Sequence, residues 1–256
     1  MPIMRTVIMR TVHAELPSPD EESKPSSSSG NDDRLSVASE VSLPDQIRQA
    51  IAAAHIAVEA TPLASALAHG TIGVGDYIVL LQELHHLHAS LESSLVAAAL
   101  DQPLIASIYH PEAMDRAGVI LRDLAAFTAI PSEQPGQVIQ RISTDFASWA
   151  VQKPWALLGA LYVMEGSRMG SMMLARSLAK AFSRPAESGF GLDYHVQDMA
   201  GRPAAWKQFR KTLADLPFTL EQQGDIIQAA IATMNALVDL YASMAVSPQS
   251  HHSLTA

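Results

Sequence analysis

Three glycines, Gly159, Gly166 and Gly170, fall inside a stretch that otherwise reads as one helix from Ala156 to Phe182. Each interior glycine weakens a helix by about 1 kcal/mol relative to alanine. Spacings of seven and four residues put all three near one face. A chain this rich in alanine and leucine keeps such a bare stripe because something comes close to the backbone there. Two readings are open: a tightly packed partner helix, or a large flat ligand lying on that face.

The rest of the chain narrows the choice. Its 256 residues are 48% hydrophobic, enough for one core of roughly 200 residues. Ala, Leu, Ile and Met dominate the apolar set, which favours packed helices over sheets. There is no cysteine. Disulfides, thiolate zinc sites, iron–sulfur clusters and cysteine nucleophiles are therefore excluded, and a reducing cytoplasm is the compartment that fits. A metal or cofactor must be held by His, carboxylate or backbone. The net charge of −9 argues against nucleic acid as a partner. No uncharged apolar run approaches the roughly 18–20 residues of a membrane span. No long apolar core follows Arg5 and Arg10, so no secretory signal is expected.

Residues 1–42 differ in composition from the remainder of the chain. Ile3-Met-Arg-Thr-Val7 is repeated as Ile8-Met-Arg-Thr-Val12, and a Ser, Pro and acidic tract comes next. Such a segment buries too little apolar surface to offset its ordering entropy and is expected to be a disordered tail. A docking or regulatory arm is the functional alternative.

A helical domain is expected over 43–245 and a flexible tail over 246–256. Ser42 looks like an N-cap, with Pro44 and Asp45 in the first turn. Ile47, Ile51, Ala54 and Val58 then recur at helical spacing. A short piece comes next at Leu63–His69. Longer helices are expected at Asp76–Leu100, Pro111–Phe127 and Gln137–Val151. After the glycine-bearing helix, 185–201 reads as a loop, with further helices at Pro203–Leu213 and Leu220–Met244. Strand-like alternation is absent, so the fold class is all-α, one domain of six to eight helices.

Three groups of residues offer chemistry. His55 lies on the first helix's apolar stripe, where a lone histidine is more often a core residue than a ligand. Its neighbours favour the ligand reading. Glu59, one turn on, is placed to accept the second imidazole N–H, as carboxylates do behind metal-bound histidines. Arg48 lies two turns back on the same face, about 10 Å away. An axial imidazole with a cation at that distance suits a metalloporphyrin with an anionic edge. Glu83 and His86 form one Glu-x-x-His element, but a di-iron site needs a second, and Glu165 is followed three residues on by Arg168. A polar helix face is the better reading there. Lys207, Arg210 and Lys211 share a face beside Trp206 and Phe209, either a solvated cationic face or a carboxylate-binding patch. No phosphate loop, His-Glu-x-x-His or serine elbow occurs.

These residues together resemble the heme oxygenase family, in particular its bacterial members. Ile47–Glu59 resembles the proximal helix, with His55 at the axial ligand and Glu59 at the glutamate four residues later. Tyr77–Glu92 resembles the following helix. Leu161-Tyr-Val-Met-Glu-Gly-Ser-Arg-Met-Gly-Ser171 resembles the distal helix, with Gly166 and Gly170 at the two glycines that lie against heme. Arg48, Lys207 and Lys211 match the basic positions that hold the propionates. The likeness covers about 43–245. It departs at Ser167, where several members carry aspartate, and at Ser171, where a second glycine is common.

The resemblance implies a multi-helix bundle with heme b sandwiched between proximal and distal helices, as both substrate and cofactor. His55 would ligate the iron. Gly166, Gly170 and Ser167 would shape the dioxygen side, and Tyr162 and Arg168 would join Arg48, Glu59, Lys207 and Lys211 around the ring. The implied products are biliverdin, carbon monoxide and ferrous iron. Electrons would come from a ferredoxin or a flavoprotein reductase, and a biliverdin-binding phytochrome is an implied downstream partner. Two alternatives share the fold: a non-catalytic heme sensor or carrier, and a di-iron or thiaminase-like enzyme.

Overall fold

Caps and prolines set where helices begin in this chain. In a computed structural model, which describes residues 41–246, Ser42 Oγ accepts the Asp45 backbone N–H at 3.4 Å and starts α1, Leu43–Glu59. Thr61 does the same for α2, Pro62–His69, and Gly70 ends α2 at φ 64°, a left-handed conformation that favours glycine. α3 (Val74–Asp101) is the longest element. The single turns α4 (Pro103–Ala106) and α5 (Pro111–Met114) lead into α6, Ala117–Ala126. α7 (Gln137–Gln152) and a 3₁₀ turn at Pro154–Ala156 precede α8, Leu157–Ala181, which carries the glycines. The turn α9 (Asp193–Val196), then α10 (Arg202–Asp215) and α11 (Leu220–Ser243), complete the chain. The described residues contain no strand.

α11 is the central support. It packs along both α8 and α1. Its length and composition would suffice to cross a membrane. Here Ile226, Ala230, Met234, Leu237 and Leu240 are buried in the protein core. α3 packs against α7 and α6 on the other side, burying Tyr77, Leu80, Leu81, Leu87, Leu91 and Leu95. Each such side chain contributes about 2 kcal/mol of burial free energy.

The described residues hold eleven helices, three of them single turns, against the six to eight expected from sequence, and two of the departures have a clear cause. The helix expected over Pro111–Phe127 is broken at Asp115 and Arg116. The Glu92 carboxylate of α3 accepts the backbone N–H groups of Arg116 (2.5 Å) and Ala117 (3.0 Å), so a new helix starts there. The expected loop at 185–201 contains α9, because buried Asp123 of α6 accepts the backbone N–H groups of Asp193 (2.7 Å) and Tyr194 (2.8 Å). Both breaks are set by carboxylates remote in sequence. The tails expected at 1–42 and 246–256 fall outside the described residues except for 41, 42 and 246.

Candidate functional site

α1 presents His55 beside its buried stripe rather than within it. The imidazole is 51% exposed, and its Nδ1 lies 3.2 Å from Glu59 Oε1. Nε2 makes no hydrogen bond among the described residues. Arg48 lies on the same face, its Nε 3.6 Å from Asp45. The i,i+4 spacing produces this pairing locally, without help from other elements.

The glycine stripe of α8 divides into three different environments. A Cβ on Gly159 would lie 2.0 Å from the Ile226 carbonyl oxygen and 2.8 Å from Ala230 N, so this glycine lets α11 pack backbone to backbone. A Cβ on Gly166 would meet the Trp206 ring at 3.4 Å, and one on Gly170 would meet nothing within 4 Å. The packing reading therefore holds at Gly159, while the turn at Gly170 is left bare. Ser167, Gly170 and Met173 are exposed on the bare turns, and Ser167 Oγ donates to Met164 O at 2.7 Å.

α1 and α2 are tied to α8 at two points. Tyr162 Oη donates to Pro44 O (3.0 Å), and Ser177 Oγ donates to Ala68 O (3.0 Å). At the second tie Gly70 sits on α8, its missing Cβ only 2.6 Å from Ser177 O. Pro44 and Ala68 flank His55 in sequence, and Tyr162 and Ser177 flank Gly166 and Gly170. The open imidazole edge and the bare turns of α8 thus belong to segments tied at both ends.

Two residues expected around the ring, Tyr162 and Arg168, are placed in the protein interior. Tyr162 is buried with its hydroxyl committed to Pro44, so it ties helices together, and burial raises its pKa. Arg168 points away from the bare face. It is buried and ion-paired to Glu165 at 2.7 Å. Helical spacing carried this signal, since a residue two positions from each glycine lies about 200° round the helix. Ser171 likewise turns inward and accepts a hydrogen bond from buried Arg202 at 3.2 Å.

The basic residues sit on α10, which packs on both α1 and α8. Arg210 pairs with Asp45 at 3.1 Å and Lys211 with Asp215 at 2.6 Å, while Lys207 is exposed without an ion-pair partner among the described residues. Exposed pairs of this kind hold little free energy, so their cations can turn to another anion. Trp206 completes an aromatic cluster, stacked on Phe209 and tilted against Tyr162.

Glu83 and His86 are engaged elsewhere. Glu83 accepts the Gly136 N–H at 3.0 Å, and His86 Nε2 donates to Ser132 O at 2.9 Å. Among the described residues no three His, Cys, Asp or Glu side chains come together as a metal-binding group. His88, which the sequence did not single out, is buried, with Nε2 3.2 Å from Tyr194 Oη and Nδ1 3.6 Å from Glu92. An open groove of about 220 Å³ between α7 and α11, lined by Arg141, Asp145, Asn235 and Asp239, shares no residue with either face.

Solved structures with this architecture define the class. Heme oxygenase from Leptospira interrogans superposes with a TM-score of 0.71 at 21% identity, covering 79% of this chain and 99% of its own. Heme oxygenase-2 from Synechocystis sp., solved with heme and NO, superposes at 0.70 and 20% identity, covering 78% and 84%. The fold is the all-α heme oxygenase fold. Residues 41–242 match the heme oxygenase family, and the chain belongs to it. A curated heme oxygenase from Takifugu rubripes is 22% identical over 205 residues, 78% of this chain and 73% of that protein. The fold also extends to a TenA homologue from Pyrococcus furiosus, at a TM-score of 0.60 and 10% identity, covering 78% of this chain and 98% of its own.

Proposed function

We propose that this chain cleaves heme oxidatively to biliverdin, carbon monoxide and ferrous iron, using dioxygen and external electrons. The observation that carries this reading is the half-exposed His55. Glu59 holds its Nδ1, its Nε2 has no partner among the described residues, and the bare turns of Gly166 and Gly170 lie on the helix tied to α1 through Tyr162 and Pro44. The residues fit a porphyrin. One neutral imidazole suffices as its protein ligand, and a glycine face with open space at Gly170 admits a flat ring that a side chain would block.

Bound heme would supply the iron that binds and reduces dioxygen. The chain's own residues have simpler tasks. Glu59 orients His55 and keeps the proton on Nδ1, which leaves Nε2 as the ligand. Arg48, Lys207 and Lys211 are placed to pair with the anionic ring edge. Gly166 and Gly170 offer no acidic side chain on the dioxygen side. Ser167 gives its proton to Met164 O, so its hydroxyl faces the site as an acceptor. The exposed cations of α10 would also dock an acidic ferredoxin or a flavoprotein reductase, and a phytochrome would take the biliverdin. A reducing cytoplasm suits this chemistry and the lack of cysteine.

The Ser167 geometry favours one second reading, a heme carrier or sensor without turnover. Hemin titration followed by reductant and dioxygen separates the two. Turnover requires a 1:1 Soret band that then decays as biliverdin absorbance grows. A Soret band stable under those conditions would establish the carrier, and no Soret band would end both readings.

A further inference from the structure

The two bare turns of α8 are not equivalent. A Cβ on Gly170 would meet nothing within 4 Å, whereas one on Gly166 would lie 3.4 Å from Trp206 Cη2 and 3.6 Å from Cζ2. The second distance is ordinary contact and the first borders on it, so the Trp206 packing does not by itself demand glycine at 166. The indole covers one turn of the stripe and leaves the next open.

Trp206 is braced from behind. Its ring stacks on Phe209 at 5.7 Å and 14°, and leans on Tyr162 at 5.0 Å and 60°. Phe209 and Tyr162 are both buried, and the Tyr162 hydroxyl is bonded to Pro44 O at the start of α1. Three helices thus hold one half-buried indole in place. The indole N–H has no acceptor among the described residues, so no hydrogen bond pulls the ring elsewhere.

We infer that the Trp206 indole is the stop that fixes where a porphyrin lies along α8, and hence which edge of the ring is presented for oxidation. The inference rests on the heme reading above. A flat ring reaches the α8 backbone freely at Gly170 but meets the indole edge at Gly166. It cannot slide toward the N-terminal end of α8, and aromatic edge contact at the stop orients it in its own plane. Trp206 is then a positioning residue that selects the biliverdin isomer without touching the iron.

The test uses proton NMR of the heme methyl groups in the ferric cyanide complex, together with the chromatographic isomer pattern of the biliverdin formed. Wild type is expected to give one dominant set of methyl shifts and one isomer. Trp206→Ala should show a second set of shifts and a second isomer, and Trp206→Phe should return to one of each. Circular dichroism checks the fold. Trp206→Leu, which keeps apolar bulk over Phe209 but no planar edge, gives the same readout if the alanine variant unfolds. Wild-type shifts and isomer pattern in folded Trp206→Ala or Trp206→Leu would overturn the inference while leaving the heme reading intact. A wild-type protein that gives no Soret band with hemin would overturn both.

Discussion

His55 Nδ1 stands 3.2 Å from Glu59 Oε1, one turn away on the same helix, and no other group in the described residues occupies the ring. A carboxylate at this distance is the partner for a proton on Nδ1, and Nε2 is left open. His55→Ala is expected to abolish the imidazole-ligated Soret spectrum and turnover, with added imidazole restoring the spectrum. Glu59→Gln should weaken hemin binding roughly 10–100-fold. Hemin titrations measure both, with unchanged helical circular dichroism as the control. Normal turnover by His55→Ala would remove the axial assignment.

Gly159 and Gly170 should respond oppositely to the same substitution. Gly159→Ala forces α8 and α11 apart, since its Cβ would lie 2.0 Å from Ile226 O. A loss of about 3 kcal/mol or more is expected, or roughly 10 °C in melting temperature. Gly170→Ala meets open space and should stabilise the apoprotein by up to about 1 kcal/mol through helix propensity. Hemin affinity should fall for a bulky Gly170→Leu. Thermal melts and hemin titrations on the same variants decide the matter.

Glu92 holds the start of α6 through the Arg116 and Ala117 N–H groups and faces His88 at 3.6 Å. Burial pulls its carboxyl up, but hydrogen bonds from His88 and those two N–H groups prevail and hold it below the usual range. Glu92→Ala is expected to lower stability by about 2 kcal/mol, because two part-buried donors lose their acceptor. Urea unfolding gives the number. Increased hydrogen exchange should appear first at Arg116 and Ala117.

Asp123 makes a pH prediction. Burial raises its pKa to about 6 from 3.8, against the lowering effect of the Tyr194 and Asp193 N–H groups. The folded state therefore holds this proton more tightly than the unfolded state. Its contribution is complete below pH 3.8 and is lost as pH rises through about 6. Between pH 4 and 7, wild type should lose on the order of 2 kcal/mol relative to Asp123→Asn, measured by urea unfolding. Parallel pH profiles for the two proteins would show that Asp123 titrates normally.

The fold was legible where the signal is local. Ser42 capping Asp45, the proline-led start at Pro203, and the leucine stripe of α3 are all written within one or two turns of sequence. The break at Arg116 and the turn at Asp193 were not legible, because their acceptors, Glu92 and Asp123, come from distant helices. At the site, the sequence grouped the residues more readily than it oriented them. Tyr162 was expected beside the ring, but its hydroxyl is spent on Pro44, a contact 118 residues away in sequence.

The sequence by itself determined an all-α chain with a histidine–glutamate pair on its first helix and a bare stripe on the helix that begins at Ala156. Spacing along one helix fixes which side chains share a face, and nothing else is needed for that. Only the tertiary structure decided what each glycine faces. Gly159 lies against the α11 backbone, Gly166 against the Trp206 ring, and Gly170 against open space. Three chemically identical residues on one stripe acquire different roles because the surfaces that meet them come from separate helices, whose positions are set by packing across the whole core.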